Sequence, residues 1–268
     1  MVRKLMKYDF ASYMRLLLPV QLILLGIAAL NRFVQLFESN NSTYSILFTS
    51  STILFIISIA VVVVLTLVVS IVRFYQGMYS NEGYLSHTLP VTPSQHICSK
   101  LLTSLLFYLG SFLAIFLSLN IVTIGELNIE IYKAFGFQLG KLGESLHGHL
   151  ALYIIELILL FLSYIVGTTL CIYFCISVGQ LAQKRKILLA FGAYFGIYVI
   201  GQIIGTIVII IMTTLGTELV SNIAKWAGEH MIAFMHIVFC SGILLQVIVS
   251  LIYFLLTRYI MSKKLNLT

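Results

Sequence analysis

Charge is what this 268-residue chain has least of: Asp, Glu, Lys and Arg together make up 9% of it, where an ordinary soluble domain carries about a quarter. With 60% hydrophobic residues and a mean hydropathy of +1.05, too little polar surface is left to cover a water-soluble fold. The same composition excludes disordered, collagen-like and disulfide-scaffold chains. Aspartate occurs once, at Asp9, so no pair of aspartates can build an intramembrane protease site. The four cysteines, Cys98, Cys171, Cys175 and Cys240, include no Cys-x-x-Cys, which removes the usual zinc and dithiol readings. Cys171 and Cys175 stand one helical turn apart in an apolar stretch and read as small packing residues. Neither His-Glu-x-x-His nor Gly-x-Ser-x-Gly occurs. The nearest approach to a phosphate loop, Gly136–Lys141, has three residues between its glycines instead of four and continues into Leu142, so it is no nucleotide site. Any energy from ATP therefore has to enter through another chain. The net charge of +7 reads as orientation charge beside anionic lipid, not as a nucleic-acid surface.

What is present is a set of long apolar runs. Six are long enough to cross a bilayer, which takes roughly 20 apolar residues: 16–37, 46–72, 101–124, 150–178, 187–215 and 232–257. The expected fold is an all-α membrane protein, one transmembrane domain over residues 1–268. The first run is the weakest, with a clean core of Leu16–Leu30 before Asn31 and Arg32. A cleavable leader fits it less well, because Phe33–Phe37 resumes the apolar run. Pro19 is expected in the first turn of that span, where proline is tolerated. Twelve of the sixteen Lys and Arg fall on one set of alternate connections, whereas Glu38, Glu126, Glu130, Glu144, Glu218 and Glu229 fall on the other. The positive-inside rule then places both termini in the cytoplasm, which suits an even number of spans. In residues 3–15 the basic side chains share one third of a helical wheel, opposite Leu5, Met6, Phe10 and Tyr13. This segment is either an interfacial elbow helix or a plain basic flank.

Inside the spans, Glu156 is the one acid, about two turns in from the outer surface. An intramembrane ionisable group is a candidate on a substrate path; the plainer reading is a hydrogen bond to a neighbouring helix, to His149 or to water. His147 and His149 with Glu144 have the residue types of a metal site, but loop histidines are more often simply solvated. Gly192, Gly196, Gly201 and Gly205 form two Gly-x-x-x-Gly pairs flanking Gln202, fit for close helix packing within the chain or for a dimer seam.

The second cytoplasmic connection is longer than a turn needs. Thr92-Pro93-Ser94-Gln95 is a capping box with proline at the first helical position, so a helix starts at Pro93 and continues into the third span. Between Gly83 and Pro90, residues 82–88 can form a short element that exposes Tyr84 and Leu85, either to dock a soluble partner or to pack on its own helices. The run Glu82-Gly83-Tyr84-Leu85-Ser86-His87-Thr88-Leu89-Pro90-Val91, followed by Gln95 and Ser99-Lys100-Leu101-Leu102, resembles the loop after the second span of type-2 ABC exporter permeases. These are six-span bacterial plasma-membrane chains without an ATPase domain of their own. The resemblance covers the chain in topology and residues 79–102 in detail; where that family usually has a basic residue before the third span, this chain has Thr92-Pro93-Ser94.

The resemblance implies a permease that pairs with a second permease chain, identical or related, and binds a cytoplasmic ABC ATPase holding the Mg-ATP. This chain would itself carry no enzymatic site and no cofactor. Tyr79, Glu82, Gly83, Tyr84, Leu85, Leu89, Pro90 and Pro93 would then form the coupling element. Spans this poor in charge suit an amphipathic or lipophilic cargo: a cytotoxic or antimicrobial peptide, a drug or a lipid. The alternatives are a stand-alone secondary transporter or channel, resting on Glu156, and a membrane scaffold or sensor subunit.

Overall fold

A computed structural model describes residues 2–37, 42–80, 91–146, 148–182, 184–215 and 217–263, with backbone alone at 2, 4, 126, 127, 215 and 217–219. Among the described residues helix is the one kind of regular secondary structure, and no strand occurs. The helices are α1 (Val2–Gln35), α2 (Ser42–Tyr79), α3 (Pro93–Val122), α4 (Glu126–Ser145), α5 (Leu150–Gly179), α6 (Lys186–Leu215), α7 (Thr217–Glu229) and α8 (Met231–Lys263). Six of them, α1, α2, α3, α5, α6 and α8, are long and apolar enough to cross a membrane. The protein is thus a multi-pass membrane protein.

The helices outrun the apolar stretches that nucleate them. α2 continues past Val72 to Tyr79, and α3 begins at Pro93, eight residues before its apolar run. At the N-terminus the basic segment 3–15 and the first span form one unbroken helix. That corrects the expected place of Pro19, which lies mid-helix and not in a first turn. Nothing in residues 3–15 breaks a helix, so the backbone ladder runs on through Pro19, which withholds only its own donor from the Arg15 carbonyl.

The chain gathers into two compact units, residues 1–141 and 142–268. In the first, α1 and α3 are parallel neighbours: Asp9 meets Lys100, Tyr13 stacks on Phe107 at 5.0 Å, and Gln21 donates to Ser111 at 3.0 Å. α2 runs the other way, with Ser51 and Thr52 at its start each 3.2 Å from Asn31 near the end of α1. Leu24, Ala28, Phe55 and Val62 form one core cluster, and Tyr13, Leu17 and Phe107 another. Between them the helices meet through small hydroxyl residues, with Thr66, Thr103, Ser104, Ser111 and Ser118 all buried. Thr66, Thr103, Ser104 and Ser118 bond carbonyls of their own helix, as in Thr66 to Val62 O at 2.7 Å and Thr103 to Ser99 O at 2.9 Å, whereas Ser111 meets Gln21 of α1 and Thr66 of α2. Small side chains thereby bring backbones close while these hydroxyls keep their partners.

In the second unit α5 and α8 are the parallel pair, in register at Glu156–His236 and Phe174–Tyr253. Gly167 admits the Gln246 amide of α8 where any Cβ would collide with it. α6 returns along α5, and at the bend Gly179 lets the chain pass so closely that an added Cβ would stand 2.7 Å from the Lys186 carbonyl oxygen. α7 joins α6 to α8. Cys171 and Cys175 are buried in α5 as free thiols, in keeping with a packing role. The outer faces of the spans carry large exposed apolar side chains, among them Ile56, Phe112, Leu157, Phe195 and Leu245. Such a surface needs lipid as its solvent.

Candidate functional site

Two polar clusters stand out in an otherwise apolar molecule, one in each unit. The first lies at the root of the long connection between α2 and α3. Tyr79 closes α2, its ring edge-on to Phe74 at 6.0 Å. Pro93 opens α3 behind the capping box read from the sequence, in which the Gln95 Oε1 accepts the Thr92 N–H at 3.2 Å. Glu82, Gly83, Tyr84, Leu85, Leu89 and Pro90 lie outside the described residues.

Seven residues into α3, Lys100 turns inward. Its Nζ sits 3.1 Å from Asp9 Oδ1, and the Ser99 hydroxyl donates to Asp9 Oδ2 at 3.3 Å. Lys100 is only 7% exposed. Gly77 of α2 makes the space, since any Cβ there would overlap Lys100 Nζ and Cε. One buried charge thus holds α1, α2 and α3 together beneath the connection. Sequence reasoning missed this: Lys100 counts there as orientation charge, and Asp9 matters only as the lone aspartate.

The second cluster is built on Glu156 of α5. Its Oε1 is 2.7 Å from His236 Nδ1 on α8, and the Cys240 thiol points at the same oxygen from 3.8 Å. Tyr153, one turn before Glu156, lies flat on the His236 ring at 4.3 Å, its hydroxyl tied to the Ile232 carbonyl at 3.0 Å. His149, at the N-terminal end of α5, meets the same ring edge-on at 5.6 Å. The remaining polar atoms of the pair, Glu156 Oε2 and His236 Nε2, are enclosed and have no hydrogen-bond partner among the described residues. Burying an unmet polar atom costs about 1–3 kcal/mol. An enclosed Glu–His pair with a free valence on each side is equipped to hold or pass a proton, or to take a hydrogen-bonding ligand after a small opening. Of the alternatives open for Glu156, the structure has the bond to a neighbouring helix, with His149 next to its partner. The legible signal was His236, an ionisable residue inside the last apolar run.

The remaining candidates are placed as follows. Among the described residues no group of three side chains could hold a metal. His147 is outside them, and His149 is engaged with His236. Within the second unit nothing comes within 4 Å of where a Cβ would stand at Gly192, Gly196, Gly201 or Gly205. α6 packs on α5 through Ala190 against Gly179 instead, so these glycines face open space there. No protein-family model, curated protein or solved structure matches the chain, and its function has to be argued from these clusters and from the six spans.

Proposed function

We propose that this chain is the permease subunit of an ATP-driven ABC exporter in a bacterial plasma membrane. A separate cytoplasmic ATPase would hold the Mg-ATP, and a second permease chain would complete the path. The observation that carries the reading is the buried Asp9–Lys100 pair at the root of the connection that resembles a coupling loop. A docking segment passes on a push only if its base is stiff. Here the end of α2, the start of α3 and α1 are held around one buried charge, so a load on residues 80–92 tilts three spans together. Tyr84 and Leu85 would supply the buried contact area and Glu82 a carboxylate for a basic residue of the ATPase; Tyr79, Gly83, Leu89, Pro90 and Pro93 would shape the loop. The open glycine face of α6, with Gln202 exposed in its middle, supports the pairing of two permeases. A cargo with large apolar surface, such as an antimicrobial peptide, a drug or a lipid, suits spans with so little charge.

The test is co-purification with the ABC ATPase encoded beside this chain, followed by ATP hydrolysis in lipid. Tyr84→Ala with Leu85→Ala is expected to leave a folded protein whose ATPase no longer drives transport. A chain that purifies alone and binds no ATPase overturns the reading.

The Glu156–His236 contact favours one alternative, a stand-alone transporter driven by a proton gradient. Proteoliposomes holding this chain alone would then move cargo down an imposed pH gradient, and Glu156→Gln would stop it; no transport without the ATPase rules this out.

A further inference from the structure

Helix α4 has no place in either polar cluster. It is 20 residues long, about 30 Å, and its side chains are almost all exposed. At roughly 100° per residue, Glu130, Lys133, Lys141 and Glu144 fall in one narrow arc, and Ile131, Phe135, Leu139 and Leu142 fall in the opposite one. Phe135 is 61% exposed, Ile131 48% and Leu142 50%. A soluble helix would bury that stripe against a neighbour; no helix packs along this one among the described residues.

Its direction follows from two contacts. α3 ends at Val122, and the turn that follows reaches Gly125 with φ +116, a conformation a side chain would strain. The Tyr132 hydroxyl then bonds Asn120 Oδ1, in the last turn of α3. A helix continuing outward along the axis of α3 would carry the Tyr132 backbone about 18 Å beyond that of Asn120, at 1.5 Å of rise per residue. α4 is therefore bent aside where a spanning helix ends. Exposed apolar residues follow one another along the chain from one face of α3 into it: Phe112, Phe116, Leu119, Ile124, Ile131, Phe135.

We propose that α4 lies in the headgroup layer of the bilayer, its apolar arc among the phospholipid acyl chains and its charged arc in water. The partner is the phospholipid surface itself. With three Glu and two Lys the helix has a net charge of −1, so apolar burial holds it there and anionic lipid contributes nothing. A lipid-anchored helix joined to the end of α3 ties the position of that span to the bilayer surface.

The chain has a single tryptophan, Trp226, so the test is a pair of single-tryptophan reporters in a Trp226→Phe background: Phe135→Trp on the apolar arc and Phe137→Trp, at 62% exposure, on the charged one. Both sites are exposed, and neither change disturbs a core. The full chain is reconstituted in phosphatidylcholine vesicles with bromines on the acyl chains, and in unlabelled vesicles with aqueous iodide. The reporter at 135 is expected to be quenched by bromine at least roughly twofold more than that at 137, with the reverse order for iodide. Replacing a third of the lipid by phosphatidylglycerol should leave both orders unchanged. Equal quenching of both reporters by iodide would place α4 in water and overturn the proposal. Shielding of position 135 from both quenchers would overturn it too, since a protein surface would then cover the stripe.

Discussion

Asp9→Asn is the sharpest probe of the first unit, because it deletes a charge and keeps the shape. It leaves Lys100, whose side chain is 9% exposed, without a counter-ion in a pocket bounded by α1, α2 and α3. Breaking a buried ion pair from one side costs about 3–5 kcal/mol. The Asp9 side chain is 23% exposed, so some water reaches the pair and the cost falls below that range, to about 2–3 kcal/mol. For a chain of this size each 1 kcal/mol moves the unfolding midpoint about 2–4 °C, so Asp9→Asn should unfold about 4–12 °C below the parent. Lys100→Met removes the buried charge and fills its volume, and Asp9 can turn to water; about 1 kcal/mol is expected. The double variant Asp9→Asn/Lys100→Met leaves no charge to strand and should lie within about 1 kcal/mol of the parent, a coupling of about 2–4 kcal/mol between two positions in direct contact. Thermal unfolding of the purified protein in one detergent, followed by loss of the monodisperse peak, reads all four forms. If Asp9→Asn unfolds with the parent, or if the single effects simply add, the pair does not lock the root of the connection, and the support it lends to coupling falls with it.

Other perturbations test the second unit and the proposed seam. Gly179→Ala drives a Cβ to 2.7 Å from the Lys186 carbonyl and 2.8 Å from Ala190 Cβ; backbone cannot rotate away, so a loss of about 2 kcal/mol or more is expected in the same unfolding assay. Glu156→Ala strands His236 Nδ1 and should cost about 1–3 kcal/mol, whereas Glu156→Gln keeps a hydrogen-bond partner and should cost less than half as much; equal losses would argue against the contact. Gly201→Leu meets only open space within its unit and should leave unfolding unchanged, yet abolish co-purification of two differently tagged copies if α6 forms the seam.

How much of this was legible in sequence depended on range. The six spans were, because crossing hydrocarbon demands a length of apolar residues that composition alone reveals, and the start of α3 was, because Thr92, Pro93 and Gln95 act within four residues of one another. Where the apolar runs fade, as at Val72 and before Leu101, hydropathy loses the helix although the backbone ladder continues, which is why the spans came out short and Pro19 was set at the wrong place in its helix.

The sequence by itself thus determined the solvent and the crossing segments, since both are sums over neighbouring residues. Only the tertiary structure decided which polar groups meet. Asp9 and Lys100 are 91 residues apart, and Glu156 and His236 are 80 apart. Each pair exists because two helices run parallel and in register; Gly167 admits α8 beside α5, and Gly77 of α2 leaves the room that Lys100 fills. In a medium where every buried charge must find a partner, that register turns four scattered ionisable residues into two sites.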